Sequence, residues 1–464
     1  MEGLEATTIR LSELERTTRI DSEYFQSWFR QSASLLSKFE SRAVATLVKV
    51  ADGNHFTISE DFVDEGIPYY RGQDVTGRFF VDQATPNFIT QEAFDRPYMK
   101  RSHLKKGDVL LSIIGTIGEL SLVDSTQLAT CSCKLAILRP HSIEAEFLAT
   151  FLQCRHGNYQ IRRLMRGAVQ QGFLLEDVDQ LVVPNFSDGF RQSVVRTVRA
   201  ARATQAAAQA STAEAETSLL AALGLAGWSP PEPLSYTARA ADALVAARLD
   251  AQFYAPRIRA LLNLLGRNGR TVSDLAKPRR DRFSAKKCDA FHYIEIGDVE
   301  GGGGVGSTLL DSADAPSRAT WHVRKGDVLT STVRPIRRLS AIVAAEQDRY
   351  VASSGFAVLQ PTGVTSEVLM TFLRLPVICE LMDLYASASM YPAISEADIL
   401  GLPVPLVSAE IADAVSQAVQ SAFAARARSR SLLTAAKRAV EIAIEESEEA
   451  ALAYLATAGG ERNG

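Results

Sequence analysis

The chain repeats itself at a displacement of roughly half its length. KKGDVLLSIIGTIGELSLV at 105–123 returns as RKGDVLTSTVRPIRRLSAIV at 324–343, pairing Gly107 with Gly326, Asp108 with Asp327 and Ser112 with Ser331. Upstream, IPYYRGQDVTG (67–77) answers FHYIEIGDVEG (291–301), so Asp74 matches Asp298. RIDSEYF (19–25) answers RLDAQFY (248–254), and LLEDVDQLVVP (174–184) answers SEADILGLPVP (395–405). Matched segments in one order, all displaced by roughly half the chain, mean duplication. Solenoid units are about 20–50 residues long, so this longer period marks two copies of a whole domain with its trailing segment. Such a chain presents two similar surfaces, which suits a partner with two sites.

The 464 residues suffice for two to four domains. With 46% hydrophobic and 22% charged residues, the balance is that of an ordinary globular protein. MEGLEATTIRLSELERTTRI is polar and charged, unlike a secretory leader. No apolar run approaches the ~20 residues that span a bilayer, so a cytoplasmic protein is expected. The five cysteines (Cys131, Cys133, Cys154, Cys288, Cys379) show no metal spacing and read as reduced, buried thiols. Net charge is −4, so a nucleic-acid footprint has to be local. Basic clusters do occur: Arg96, Lys100, Arg101, Lys105 and Lys106; Arg155, Arg162, Arg163 and Arg166; then 267–287 and Arg334, Arg337 and Arg338. The alternative for any one cluster is a solvated face.

The pattern predicts an α+β chain in six parts: a helical lead-in (1–40), a strand-rich domain (41–186), a long helix (187–226), a linker and second lead-in (227–266), a second strand-rich domain (267–406), and a second long helix with a tail (407–464). Within 187–223, Ala, Arg, Gln, Glu and Leu dominate, with no Pro and no Gly after Gly189. Val194, Val198, Ala201 and Gln205 mark one face. A helix of about 35 residues runs ~50 Å and needs a packing partner. LGLAGWSPPEP (223–233) breaks it. An equally Ala-rich, unbroken stretch follows Ser408. Since each copy exits the same way, pseudo-twofold symmetry makes the two long helices antiparallel partners and a spacer of fixed length.

Catalytic constellations are not evident. There is no phosphate-binding G-x-x-x-x-G-K-[ST] loop and no [DN]-P-P-[FY] tetrapeptide; VPNF (183–186) resembles the latter only superficially. GGGGVGS (301–307) lacks the lysine and reads as a flexible hairpin tip. The six histidines show no metal spacing. Glu176 and Asp177 lie at an expected turn, where capping or solvation explains them. The repeated Gly-Asp-Val reads as structural: Gly for the turn, Asp hydrogen-bonding its backbone, Val opening a buried strand.

The twice-repeated KGDVL…S motif, the preceding Y(Y/I)…DV…G segment, and the closing QQGF…DV…LVVP (170–184) and SMYPAISEADILGLPVP (389–405) segments, each followed by a long helix, resemble the specificity subunit of type I restriction–modification systems. The likeness covers essentially the whole chain. One departure is RPIRR (334–338) where the first copy has GTIGE (115–119), which suggests that the two copies read different sequences. The resemblance implies two tandem target-recognition domains, each reading one half of a bipartite site in double-stranded DNA. The two long helices form the antiparallel coiled coil that sets the gap. Methyltransferase subunits dock on those helices, two per chain, and restriction/translocase subunits join for cleavage and phage defence. The chain itself is then non-catalytic, needs no cofactor or metal and meets no membrane. Half-sites about one to one-and-a-half turns apart lie ~35–50 Å apart, which a ~50 Å helix matches.

The residues expected at DNA are Arg71, Arg96, Lys100 and Arg101 in the first copy, with Gln170 and Gln171 at base edges, since Gln pairs bidentately with adenine. In the second copy they are Arg279, Arg280, Arg282, Lys286 and Lys287, then Arg334, Arg337 and Arg338, arginine being the usual reader of guanine. Tyr70, Phe173 and Tyr391 either pack on DNA or fill the core. Competing readings are a scaffold that assembles proteins on a coiled-coil stalk, a specificity-type subunit of another phage-defence complex, and an enzyme with an unrecognised site.

Overall fold

The computed structural model describes residues 8–10, 19–81, 87–167, 171–230, 232–246, 248–386 and 392–460, and the chain divides into two compact units, Met1–Ala203 with Arg428–Gly464 and Thr204–Ala427. Both long helices therefore contribute one half to each unit. The first spans Asp188–Ala222 and the second Ala409–Glu445.

In the first unit, a four-stranded antiparallel core sheet runs in the order Val48–Asp52, Leu135–Pro140, Val109–Ser112, Leu120–Leu122. A second sheet has the order Phe62–Val63, Asn87–Ile89, Ile67–Tyr70, Thr130–Cys131, and its last pair is parallel. Helices Ala145–Gln153 and Arg155–Arg163 cover the core sheet, with Phe147, Leu148, Phe151 and Ile161 fully buried. Ser41–Ala43 pairs with Val182–Pro184 beside the start of the first long helix.

The second unit repeats this plan. Its core sheet is Ala276–Pro278, Phe356–Pro361, Val328–Ser331, Ser340–Ile342. Its second sheet is Thr308–Asp311, Ala290–Ile294, Val351–Ser353, Ala319–His322; the parallel pair is now the middle one, since Ala319–His322 is added at that edge and Phe62–Val63 has no counterpart strand at the other. Helices Ser366–Arg374 and Pro376–Tyr385 follow. The α+β class and the paired long helices agree with the sequence.

The repeated motifs repeat their bonds. Gly107 and Gly326 take φ +93° and +82°, where a side chain is strained. Asp108 Oδ2 accepts the Lys105 N–H at 2.8 Å, and Asp327 Oδ2 accepts the Arg324 N–H at 2.9 Å. Val109 and Val328 then open buried strands, as the structural reading of the motif expects. Each carboxylate is 1% exposed and neutralised by one arginine. Arg139 donates to Asp108 through Nε and Nη2, both at 2.8 Å, and Arg279 does so to Asp327 at 2.8 and 2.6 Å. The arginines come from different strands: Arg139 from Leu135–Pro140, Arg279 from just beyond Ala276–Pro278, the counterpart of Val48–Asp52. Likewise Asp74 and Asp298 accept the Arg71 and Glu295 N–H, both at 2.7 Å, and Asp21 and Asp250 accept Tyr24 and Phe253 N–H at 3.0 and 3.1 Å.

The long helices pair within each unit. Val194, Val195 and Val198 of the first join Ala435, Ala436, Ala439 and Val440 of the second in the first unit's core. Ala215 and Leu219 join Val415 and Val419 in the other. The beginning of one helix thus meets the end of its partner, which is the antiparallel arrangement. Ala201, Ala208 and Ala215, buried at heptad spacing, let the helices approach closely. Gln205, expected on this face, is half-buried.

Several expectations are corrected. The stretch after Ser408 is not one helix: it stops after Glu445, and a new helix, Glu448–Gly460, begins with Ser447 Oγ accepting the Ala450 N–H at 3.2 Å. This helix folds back, so that Arg428 Nη1 donates to Ala458 O at 3.2 Å. The glycine run is not a flexible tip. Gly302 O accepts from Arg426 Nη1 at 2.9 Å, and a Cβ on Gly303 would meet Met370 Sδ at 2.4 Å. Cys131, Cys154 and Cys379 are buried thiols, but Cys288 is exposed and Cys133 half-buried. Asp177 is neither cap nor solvated: it is 1% exposed and paired with Arg166 at 2.5 Å. Tyr70 and Phe173 fill the core, and Tyr391 lies outside the described residues.

Removing the charge of a buried, paired carboxylate costs about 3 kcal/mol. Asp108→Asn and Asp327→Asn are therefore each expected to destabilise by about 3 kcal/mol in urea unfolding, far more than neutralising an exposed acid such as Asp188.

Candidate nucleic-acid interface

The hairpin after the core Asp differs most between the copies. The Ser112 N–H donates to Glu119 O and the Ser331 N–H to Leu339 O, so the second hairpin is one residue longer. Arg338 consequently stands where Gly118 does, with φ +59° against +85°, and Arg334 stands at Gly115, with φ +49° against +87°. The turn keeps its left-handed geometry while arginine replaces glycine, at a strain of about 1 kcal/mol each.

Arg338 is held inward. Its Nε donates to Arg374 O at 2.7 Å and its Nη2 to Glu216 Oε1 at 2.5 Å. Arg374 is itself buried and donates to the carbonyls of Arg338 and Ser340 at 2.9 and 3.0 Å; burial lowers its pKa to about 10. Arg334 and Arg337 are exposed on the hairpin. The Arg334 N–H donates to Pro392 O at 2.8 Å, and Val333 bridges Ala393. A second basic loop borders the same segment, because Arg280 pairs with Glu396 and lies 5.6 Å from the Trp321 ring. Arg282, 6.0 Å from that ring, and Lys286 and Lys287 on a short turn are exposed. Arg279 is the exception in this loop, since its fork is filled by Asp327, whose hydrogen bonds raise its pKa. The structure thus brings Arg280 and Arg334 to one segment and turns Arg279 and Arg338 inward.

In the first unit, Ile114 bridges Gly172, which puts exposed Gln171 beside the hairpin. Gln170 lies outside the described residues. Arg71 caps the turn Gly72–Val75 near Ser112 and Thr116, and its Nη2 donates to Asn87 Oδ1 at 3.0 Å. Arg96 is engaged: both ends of its fork meet Asp61, at 2.7 and 2.8 Å, and hydrogen bonds from that carboxylate raise its pKa. Lys100 is exposed, and Arg101 lies 3.5 Å from Asp52. Gln171 and Arg71 are thus each one residue from a glycine that borders the hairpin, Gly172 and Gly72, whereas Lys100 and Arg101 lie on the turn Pro97–Ser102 and Arg96 just before it.

Sequence reasoning missed two sites in the first unit. One is a cleft of about 400 Å³ between the hairpin and the second long helix, lined by Arg78, Arg162, Arg430 and Lys437. The other is a Ser–His–Glu chain: Ser32 Oγ lies 2.8 Å from His156 Nδ1, and His156 Nε2 lies 3.0 Å from Glu445 Oε1. It has the order of a hydrolase triad, but Ser32 and His156 are 4% and 3% exposed, so no substrate carbonyl reaches the hydroxyl. It ties the lead-in helix to the second long helix. Among the described residues no group of three or more His, Cys, Asp and Glu is placed to hold a metal ion, and no helix is long and apolar enough to cross a membrane.

No family model and no curated protein matches the chain. Solved structures do. The chain is similar to the type I restriction–modification S subunit from M. genitalium, with 13% identity over 90% of this chain and 96% of that one and a TM-score of 0.36. It is also similar to a chain solved in work on complex assembly and conformational transition of the type I R-M system (16%, 90% and 97%, TM-score 0.28) and to the HsdS subunit from Thermoanaerobacter tengcongensis (15%, 90% and 96%, TM-score 0.25).

Burial lowers the pKa of His156, although Glu445 opposes the shift. The fold favours the neutral ring, so this contribution is intact above the ordinary histidine pKa of about 6.5 and is lost as pH falls below it. Melting temperature is expected to drop between pH 7.5 and 5.5, and His156→Gln, whose side chain does not titrate, to flatten that drop.

Proposed function

We propose that the chain is a DNA-specificity subunit of the type I restriction–modification kind. The observation that carries this reading is one scaffold used twice with different loops. The Gly-Asp-Val turn, the core-sheet order and the covering helices recur, while the hairpin tips carry Gly115 and Gly118 in one unit and Arg334 and Arg338 in the other. Two equal frames with unequal readers suit a bipartite, asymmetric duplex site.

In this reading Arg282, Lys286 and Lys287 contact phosphates, while Arg334 and Arg337 approach base edges in one half-site. Arg71 and Gln171 do so in the other, with Lys100 and Arg101 on the backbone. Arg280 joins after exchanging Glu396 for phosphate. Arg279, Arg96 and Arg338 support the loops from behind. The antiparallel helices fix the gap between half-sites and dock two methyltransferase subunits, and restriction/translocase subunits complete the assembly. The chain itself is a non-catalytic cytoplasmic component. Partner subunits supply the basic surface that a chain of net charge −4 lacks.

Salt-titrated duplex binding tests the reading against a protein-only scaffold, because phosphate contacts release counterions. Lys286→Ala and Lys287→Ala are each expected to reduce the slope of log affinity against log salt by about one. Arg337→Ala is expected to relax sequence preference, and Arg279→Ala to lower stability first. Salt-independent or absent DNA affinity would reject the proposal.

A further inference from the structure

The first unit's cleft has a counterpart in the second unit that is shut. The second unit retains only about 10 Å³ there, beside Glu216 and Arg374. The helices give the correspondence: Ala145–Gln153 and Arg155–Arg163 answer Ser366–Arg374 and Pro376–Tyr385, so Gln153 matches Arg374 and Arg162 matches Asp383. Bonds confirm it, for Gln153 Nε2 donates to Leu120 O at 2.7 Å and Arg374 Nη1 to Ser340 O at 3.0 Å. The same displacement sets Lys437 against Glu216.

Two differences open the cleft and leave its charge unbalanced, because Arg338, Arg374, Asp383 and Glu216 of the second unit give way to Gly118, Gln153, Arg162 and Lys437. Gly118 replaces the Arg338 side chain that fills the second unit. Lys437 and Arg162 replace the carboxylates Glu216 and Asp383. Arg78 and Arg430 add to the cationic rim, and Glu119, the one carboxylate lining the cleft among the described residues, already accepts the Gly77 N–H at 2.8 Å. Leu433 and Leu120 give the walls an apolar part. The second unit thus neutralises itself internally with an arginine–glutamate pair, whereas the first leaves a concave cationic site of small-ligand size.

We infer that this cleft docks an acidic, apolar-flanked segment of a partner protein. A carboxylate meets Lys437 and Arg162, and an adjacent aliphatic side chain meets Leu433. The mixed lining favours polypeptide over a DNA backbone, which offers phosphate without an apolar complement. The inference stands apart from the DNA reading, and it makes the two halves unequal for partners despite their common frame.

The test uses the full chain without DNA and a short labelled peptide alternating glutamate and leucine. Binding is expected by fluorescence anisotropy, weakening with salt and falling about tenfold or more in Arg162→Asp/Lys437→Glu, which writes the second unit's two carboxylates into the first. Lys437→Glu alone, at a helix position where Lys and Glu have similar propensity, is expected to weaken binding even if the double variant misfolds. Absence of peptide binding, or binding indifferent to Lys437→Glu, overturns the inference. So does a loss confined to duplex-DNA affinity, which would assign the cleft to phosphate.

Discussion

The seam between the long helices is the constraint on which the rest depends. The first unit is unfinished at Ala203: its core takes Ala435, Ala436, Ala439, Val440 and Ala443 from the far end of the chain. The second unit closes in the same way, around the end of the first long helix and the start of the second. Alanine contributes little area of its own, so the seam works by close approach, letting the helices bury Val194, Val198, Val415 and Leu219. Polar ties then fix register within each unit. Arg199 pairs with Glu146 at 2.6 Å, and Gln420 donates to Glu367 at 2.8 Å at the matching place. Each globular copy is thereby anchored to its stretch of helix by the same two positions.

Much of this was legible in the sequence, because duplication, turn chemistry and helix composition are local signals. Asp108 and Asp327 each bond a backbone N–H three residues back, and the first long helix ends where glycine first returns. The fates of the arginines were not legible, since their partners lie far away in sequence. Arg279 meets Asp327, Arg338 meets Glu216 and Arg96 meets Asp61. A dense run of basic residues therefore overstated the exposed charge of its loop. The break at Ser447 was hidden for another reason: EESEEA reads as good helix until the serine hydroxyl is seen capping a new one.

Residue pairing by sequence also slipped by one position in the hairpin. Aligning RPIRR under GTIGE sets Arg337 against Gly118, but the ladder inserts one residue and sets Arg338 there. The left-handed φ shared by Gly118 and Arg338 betrays the true correspondence. That shift makes Arg338 a half-buried strut and leaves Arg337 at the surface. It also explains how one frame carries a cationic cleft in one half and an internal ion pair in the other.

If two like frames read two different half-sites, the DNA they select must carry both. The most direct measurement selects bound duplexes from a random library with the purified full chain, alone and with the methyltransferase subunits proposed to dock on it, and sequences them. Two short, unlike sequence blocks separated by a fixed non-specific gap of about one to one-and-a-half helical turns are expected. A single contiguous block, two identical blocks or no enrichment would contradict this.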